Sequence, residues 1–505
     1  MRFTFALALL IILTSCGNGR AGGPLPVIGY GSFDEVNEPL PTEGVENGVT
    51  REAVTEAAPA MIRVLINASH FTGRIHERVS ITAEGGFIVR GICVLGESTV
   101  YIYEAGEEFV LSGTDDMGVY QQIIIEPAVA DGRLEMIGLG RNWPNGMNPR
   151  YRGRIEVSAA SGGFTVINEL LLEEYLYGVI PSEMPASYGL EAAKVQAITA
   201  RSFAYRQMNE NRFRAYGADI DDSVISQVYN NLPENALSVE AVQATRGMVL
   251  MYDGEVIVAN YFSTSGGTTA NAGEVWPAGG EFPGETPPYL RARAQFEPIY
   301  IVGDLRTEEN AAAFFRDLEV PGFERDFPFF RWRVRMTAAE LSASINGKLG
   351  ERQQANGGLI KRVDFGGVAL DGPVRSIGQL RDIEVVRRGQ GGNIIELILV
   401  GTASAVRVQT EFNIRSLLAP SNSQITLHNG NTLNGWAMMP SAFFTMEIER
   451  DGAGNLTAVT FYGGGHGHGV GMSQNGAKAL LDLGYGYREV LMHFYPGAEI
   501  FEFGI

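Results

Sequence analysis

Two cysteines among 505 residues are too few for a disulfide-stapled fold. One, Cys16, closes an apolar run near the start of the chain. The other, Cys93, sits in the apolar stretch FIVRGICVLG and reads as a small buried hydrophobe, so no internal disulfide is expected. Basic charge is short too: 39 Lys and Arg against 58 Asp and Glu leave a formal charge of −19. A surface of that sign does not suit nucleic acid, which needs a basic face for its phosphates, and leaves an uncharged polymer open. Long apolar runs are missing as well, since Phe3 to Leu13 is too short for an ordinary membrane span. No internal repeat stands out.

What is present points to a globular chain of two or three domains. Apolar residues make up 45%, enough for a sizeable core, and 63 glycines suggest a turn-rich, β-rich protein. Arg2, the apolar run and Leu13-Thr14-Ser15-Cys16 together resemble a bacterial lipoprotein signal, residues 1–16, with Cys16 as the lipidated residue. Residues 17–60 carry Gly, Pro and acidic residues without apolar period, as in NEPLPTEGVENG, and read as a flexible tether. Over 61–150, short β-branched runs punctuated by Gly and Asp predict a β-rich support region. The whole is an α+β chain, with a mixed α/β domain over 151–505 following that support region.

Residues 170–208 organise that domain. Leu172, Tyr175, Leu176 and Val179 recur at helical spacing. Pro181 and Pro185 then bracket Glu183, which predicts a stiff turn carrying one acid. Beyond it, Ala193, Ala197, Ala200 and Ala204 fall on one face of a second helix, narrow enough to be buried against its neighbours. An isolated Glu in a turn is ordinarily solvated surface, so spacing alone gives Glu183 no task.

Two more constellations follow. In NYFSTSGGTTANAGEVWP, a β run empties into a loop of hydroxyls and amides near Trp276. Hydroxyls, amides and aromatic faces are what a saccharide groove uses, although an ordinary polar hairpin has the same composition. In GGGHGHGVGMSQNGAKALL, glycines shape a tight loop that delivers His466 and His468, and a helix follows from Met472. No Lys-Ser or Lys-Thr pair follows the glycines as a phosphate loop requires, and no Cys or carboxylate lies beside the two His. Between these blocks, helices near Thr307–Leu318 and Thr337–Leu349 and strands at Ile383–Arg387 and Ile394–Val400 show no chemistry of their own. Arg407 and Arg415 read there as solvated or paired.

All three blocks, with their order and spacing, resemble the SpoIID/LytB family. The first has Glu173, Glu174, Tyr175, Leu176, Gly178, Val179, Pro181, Glu183, Met184 and Pro185, continuing with Glu191, Ala192, Lys194, Gln196 and Arg201. Phe203 stands where Tyr is usual. In the second, Ser263, Ser265, Gly266, Gly267, Thr269, Asn271, Glu274, Val275 and Trp276 match. The third matches from Gly467 and His468 through Ser473, Gln474 and Gly476 to His493, Tyr495, Pro496 and Gly497, with Phe494 where Tyr is common.

The resemblance implies a domain with one groove that cuts the glycan strand of peptidoglycan, by lytic transglycosylation of peptide-free strands to 1,6-anhydro ends. Its single catalytic acid would be Glu183. Gln196 and Arg201 would orient that acid, bind sugar or be structural, and Ser263, Ser265, Trp276, His468, Ser473 and Gln474 would bind substrate. Burial would keep Glu183 protonated, while a helix N-terminus around 187–190 would favour its anion. Some relatives bind zinc through paired Cys, which the domain lacks, so no metal and no cofactor are expected. Other members modify a separate amidase, and a non-catalytic enhancer or glycan-binding scaffold is the competing reading. The expected partners are glycan strands, the membrane through the Cys16 lipid, an amidase or other envelope proteins, and no nucleic acid. The expected place is the outer face of the cytoplasmic membrane, with a possible part in sporulation.

Overall fold

Strand Met61–Leu65 alternates buried Ile62 and Val64 with Arg63, which turns outward to Glu156 and Glu169. It pairs antiparallel with Gly163–Leu171 and parallel with Ile220–Asp221. These are the first members of a seven-stranded sheet that also takes in 154–160, 122–127, 87–89 and 92–94. A second sheet of six strands packs its apolar side against the first, and Phe109, Ile102, Phe164 and Val166 share one core with the helices that follow. The computed structural model describes residues 60–503 apart from 90–91, 95–98, 114–117, 142–145, 211, 298 and 365. Cys16, its signal motif and the tether up to residue 59 lie outside the described residues, as does the side chain of Cys93.

The boundary drawn at residue 150 runs through the seven-stranded sheet. Strands 61–65, 87–89, 92–94 and 122–127 lie in one sheet with strands 154–160, 163–171 and 220–221, so the β-rich region and the mixed domain share backbone hydrogen bonds.

Helix α1, Leu172–Glu183, leaves the end of strand Gly163–Leu171 directly. Here the structure corrects the expected turn: Pro181 lies inside α1, and Glu183 is its last residue. Proline is tolerated because only the final turn loses a bond, and Ser182 steadies that turn by donating to Gly178 O at 2.7 Å. Gly178 is small because the Tyr229 ring lies against it, and a Cβ would sit 2.8 Å from Cε2. After Met184 and Pro185 comes a short 3-10 turn, and then helix α2, Leu190–Gln207. Its alanine face is buried, with Ala193, Ala197, Ala200 and Ala204 all at most 3% exposed. That face lets α1 and helix α3, Ala236–Ala244, approach closely.

The β run that leads into the hydroxyl-rich loop is broken into Glu255–Val256 and Tyr261–Phe262. The latter pairs in parallel with Met472–Ser473, which joins the second and third motif blocks. Residues from about 329 to 461 form a second core, in which two five-stranded sheets enclose a long helix, Ala338–Ala355. Thr337 caps that helix with Glu340 in a reciprocal capping box, and Thr307 caps the helix Glu308–Arg316. Arg407 is paired with Glu396, and Arg415 with Glu411. The last strand of this lobe, Leu456–Gly463, runs straight into the Gly-His loop, where Trp332 Nε1 donates to Gly465 O at 3.0 Å. The chain returns through helices Gln474–Asp482 and Tyr487–Phe494, and strand Glu499–Glu502 pairs with Met248–Tyr252 beside α2. Among the described residues, no helix is long and apolar enough to cross a membrane.

Candidate active site

Glu183 sits half-buried at the C-terminal end of α1, where all three motif blocks meet. Its Oε1 accepts from the Val228 amide at 2.7 Å and the Tyr261 hydroxyl at 2.8 Å. Gln474 Nε2 donates to its Oε2 at 3.3 Å and to its backbone oxygen at 3.0 Å. Burial raises the carboxyl above its ordinary value, and the donors from Val228, Tyr261 and Gln474 offset part of that rise. Desolvation therefore outweighs the forces that favour the anion. No second carboxylate bonds to Glu183 among the described residues.

Tyr261 is oriented in turn: Gln227 Nε2 donates to its hydroxyl at 3.2 Å, and Tyr175 donates to Gln227 Oε1 at 3.3 Å. The backbone of Tyr261 holds the Gly-His loop. His468 Nδ1 accepts from the Val470 amide at 3.1 Å, which leaves Nε2–H to donate to Tyr261 O at 2.9 Å. That tautomer is neutral, and burial keeps it so by lowering the imidazole to about 4. The loop's shape depends on Gly471, whose φ is +75° and whose Cβ would fall 2.1 Å from Asn260 O. Trp276 stands 37% exposed with its ring 4.9 Å from that of His468, giving the site one open aromatic face. A further chain links the blocks: Tyr188 donates to Asn475 Oδ1 at 2.5 Å, and Asn475 Nδ2 donates to Thr264 Oγ1 at 2.8 Å.

This convergence of three separated motifs on one carboxyl coincides with a match of residues 160–252 to the family model described as stage II sporulation protein, SpoIID. Over that span the chain is similar to the SpoIID/LytB family. It is 27% identical over 327 residues to an amidase enhancer of Bacillus subtilis, covering 64% of this chain and 40% of that protein. It is 26% identical over 355 residues to stage II sporulation protein D of the same organism, covering 66% of this chain and 76% of the relative. The stage II sporulation protein D of Bacillus amyloliquefaciens gives 27% over 350 residues, with the same coverage. Residues 367–471, from the second lobe through the Gly-His loop, match a domain of unknown function.

The site residues expected from the sequence divide. Glu183, Gln474, His468 and Trp276 come together around the Tyr261 strand. Gln196 joins them fully buried, with Oε1 3.5 Å from Gln474 Nε2 and its own Nε2 without a partner among the described residues. Arg201 does not join them. It turns to the far side of α2 and grips Glu173 through two bonds, at 2.7 and 2.9 Å, while donating to Met248 O and Val242 O.

The serines are engaged within the protein. Ser263 Oγ meets Thr264 Oγ1 at 3.1 Å. Ser473 caps the helix Gln474–Asp482, and Ser265 and Ser473 both bind a buried carboxyl that sequence reasoning missed. This is Glu324, which accepts from the Ser265 amide at 2.8 Å and meets Ser265 Oγ at 2.6 Å and Ser473 Oγ at 2.7 Å. Since Ser473 precedes Gln474, this cluster fixes the start of the helix that delivers Gln474 to Glu183. His466 stacks on Phe329, with ring centroids 4.4 Å apart. Among the described residues, no group of three or more His, Cys, Asp or Glu is arranged to hold a metal ion.

Proposed function

We propose that this cell-wall protein is a lytic transglycosylase that cuts peptidoglycan glycan strands and leaves 1,6-anhydro ends. The observation that carries the reading is Glu183 itself, a lone carboxyl at a helix end, half-buried and held by three donors. Ordinary glycoside hydrolysis uses two carboxyl groups, one for the leaving oxygen and one for a nucleophile or water. The anhydro route needs one. Glu183 gives its proton to the glycosidic oxygen as the bond to the anomeric carbon breaks. The sugar's own 6-hydroxyl oxygen then bonds that carbon, and its proton returns to the Glu183 carboxylate. No water is consumed, and the acid is regenerated.

Burial supports the first half of this cycle, because it holds the carboxyl protonated at higher pH than an exposed Glu. The donors from Val228, Tyr261 and Gln474 support the second half, since each stabilises the carboxylate once the proton has left. Trp276 offers an apolar face for a sugar ring beside them. An enhancer role, as one relative is named for, requires no proton transfer and gives this arrangement no task. The signal motif ending at Cys16 supports attachment to the outer face of the cytoplasmic membrane by lipid alone, a proposal checked by mass spectrometry of the N-terminal peptide.

The test is product analysis with the purified protein and peptide-free glycan strands. Fragments with anhydro ends support the reading. Reducing ends point to hydrolysis, and intact strands point to a binding role.

A further inference from the structure

One open cleft does not contain Glu183. It has a volume of about 640 Å³ and lies between the segments 292–306 and 390–391, with Thr268 at its edge. A short segment of chain links the cleft to the active-site strand. Thr264 is bridged to His466 in the Gly-His loop, and Thr268, four residues on, is bridged to Ala294 at the cleft. Four residues of extended chain span at most roughly 14 Å.

Two cations line this cleft and differ in their commitments. Arg306 is held by Asp304 through paired bonds of 2.9 and 2.8 Å. Arg293, half-buried, has no side-chain hydrogen bond, ion pair or ring contact among the described residues, although its backbone is fixed by Thr269. In a chain with an excess of acids, an uncompensated and partly desolvated guanidinium is an unusual feature, because desolvation of a charge costs free energy unless a counterion meets it. Burial lowers the Arg293 guanidinium below its ordinary value, and no carboxylate opposes that effect. Part of the wall around it is apolar, with Phe296 and Tyr300 packed edge to face and Ile301 90% exposed, while Asp304 on the same wall is engaged by Arg306.

We propose that this cleft binds a carboxylate carried on a small apolar group of the substrate, with Arg293 as its counterion. One guanidinium presents a planar fork that matches a single carboxylate and balances one charge, and the apolar part of the wall, Phe296, Tyr300 and Ile301, matches the carrier. Resting on the peptidoglycan reading above, the carboxylate has two sources: the lactyl group of a muramic residue without its peptide, or the free carboxyl of a stem peptide. Both present the same chemistry to Arg293.

The test titrates the full chain with N-acetylmuramic acid, with a muramoyl dipeptide whose lactyl group is already in amide linkage, and with N-acetylglucosamine, which lacks both carboxylates. Ligand-observed NMR reads the affinities. The expected result is an advantage of about tenfold for one or both acids over N-acetylglucosamine, erased in Arg293→Gln and partly kept in Arg293→Lys. Which acid gains the advantage identifies the source. Arg293→Gln should melt no lower than the wild type, because Arg293 gives up no partner. Equal affinity for all three compounds overturns the proposal, and so does an acid advantage that survives Arg293→Gln. Strand cleavage is assayed separately: its absence alongside an Arg293-dependent acid advantage counts against the transglycosylase reading alone, and its presence without that advantage counts against this cleft alone.

Discussion

Replacing Glu324 by glutamine should stabilise the protein above neutral pH and have no effect in acid. The carboxyl is fully buried and meets only neutral partners, the Ser265 amide and the Ser265 and Ser473 hydroxyls. Burial pushes it from its ordinary 4.5 up to about 7. An unfolded chain releases this proton near the lower value, whereas the folded chain holds it until the higher one. Between them the unfolded state binds fewer protons, so stability falls as pH rises. At ~1.36 kcal/mol per pH unit, that interval amounts to about 3 kcal/mol.

Glutamine reproduces the protonated acid. Its oxygen at the Oε2 position accepts from the Ser265 amide and from Ser473, and its NH2 group at the Oε1 position donates to Ser265 Oγ. Urea unfolding of both proteins from about pH 4 to about pH 9 gives the difference directly, and the slope of that difference should be confined to the interval between the two values. A difference that is flat with pH, or a variant less stable than the wild type in alkali, would refute the reasoning. Either result would mean that the anion is stabilised by its hydroxyl donors more than burial disfavours it.

Three further outcomes follow from the same geometry. Arg201→Ala leaves the partly buried Glu173 without its cation and should cost up to about 3 kcal/mol of stability, read by denaturant unfolding; a folded variant impaired only in KM would instead make Arg201 a sugar ligand. Tyr261→Phe removes a donor that favours the Glu183 carboxylate, so the carboxyl should stay protonated to higher pH and the alkaline limb of the pH–rate profile should move upward. Treatment with a chelator followed by elemental analysis should leave cleavage unchanged, and stoichiometric zinc whose removal abolishes activity would contradict this.

The parts of the fold and site that are legible in the sequence are those written in local period or in contiguous motif. The alanine face of α2, the threonine caps at Thr307 and Thr337 and the helix after the Gly-His loop follow from spacing and capping chemistry. Local bias misleads at Pro181, where two nearby prolines suggest a turn but packing against Tyr229 carries the helix on to Glu183. The partners of polar side chains are harder to read because they are distant in sequence. Arg201 reads as a ligand until Glu173, 28 residues earlier, is found across the helix pair. Ser265 and Ser473 read as sugar-binding hydroxyls, yet Glu324 claims both from a segment with no motif. Tyr261 lies within the second motif block, but only the parallel pairing with Met472–Ser473 aims its hydroxyl at Glu183. The sheet that crosses residue 150 has the same origin, since strand partners from 61–127 and 154–221 are set by tertiary pairing.

The most direct test of the central claim is Glu183→Gln assayed on peptide-free glycan strands, with products read by mass. The amide keeps the shape of the protonated acid and can still accept from Val228 and Tyr261, but it cannot give up and retake a proton. Strand binding should therefore change little, and turnover should fall by on the order of 100- to 10,000-fold. Anhydro-ended product from Glu183→Gln at the wild-type rate would contradict the assignment of Glu183 as acid and base.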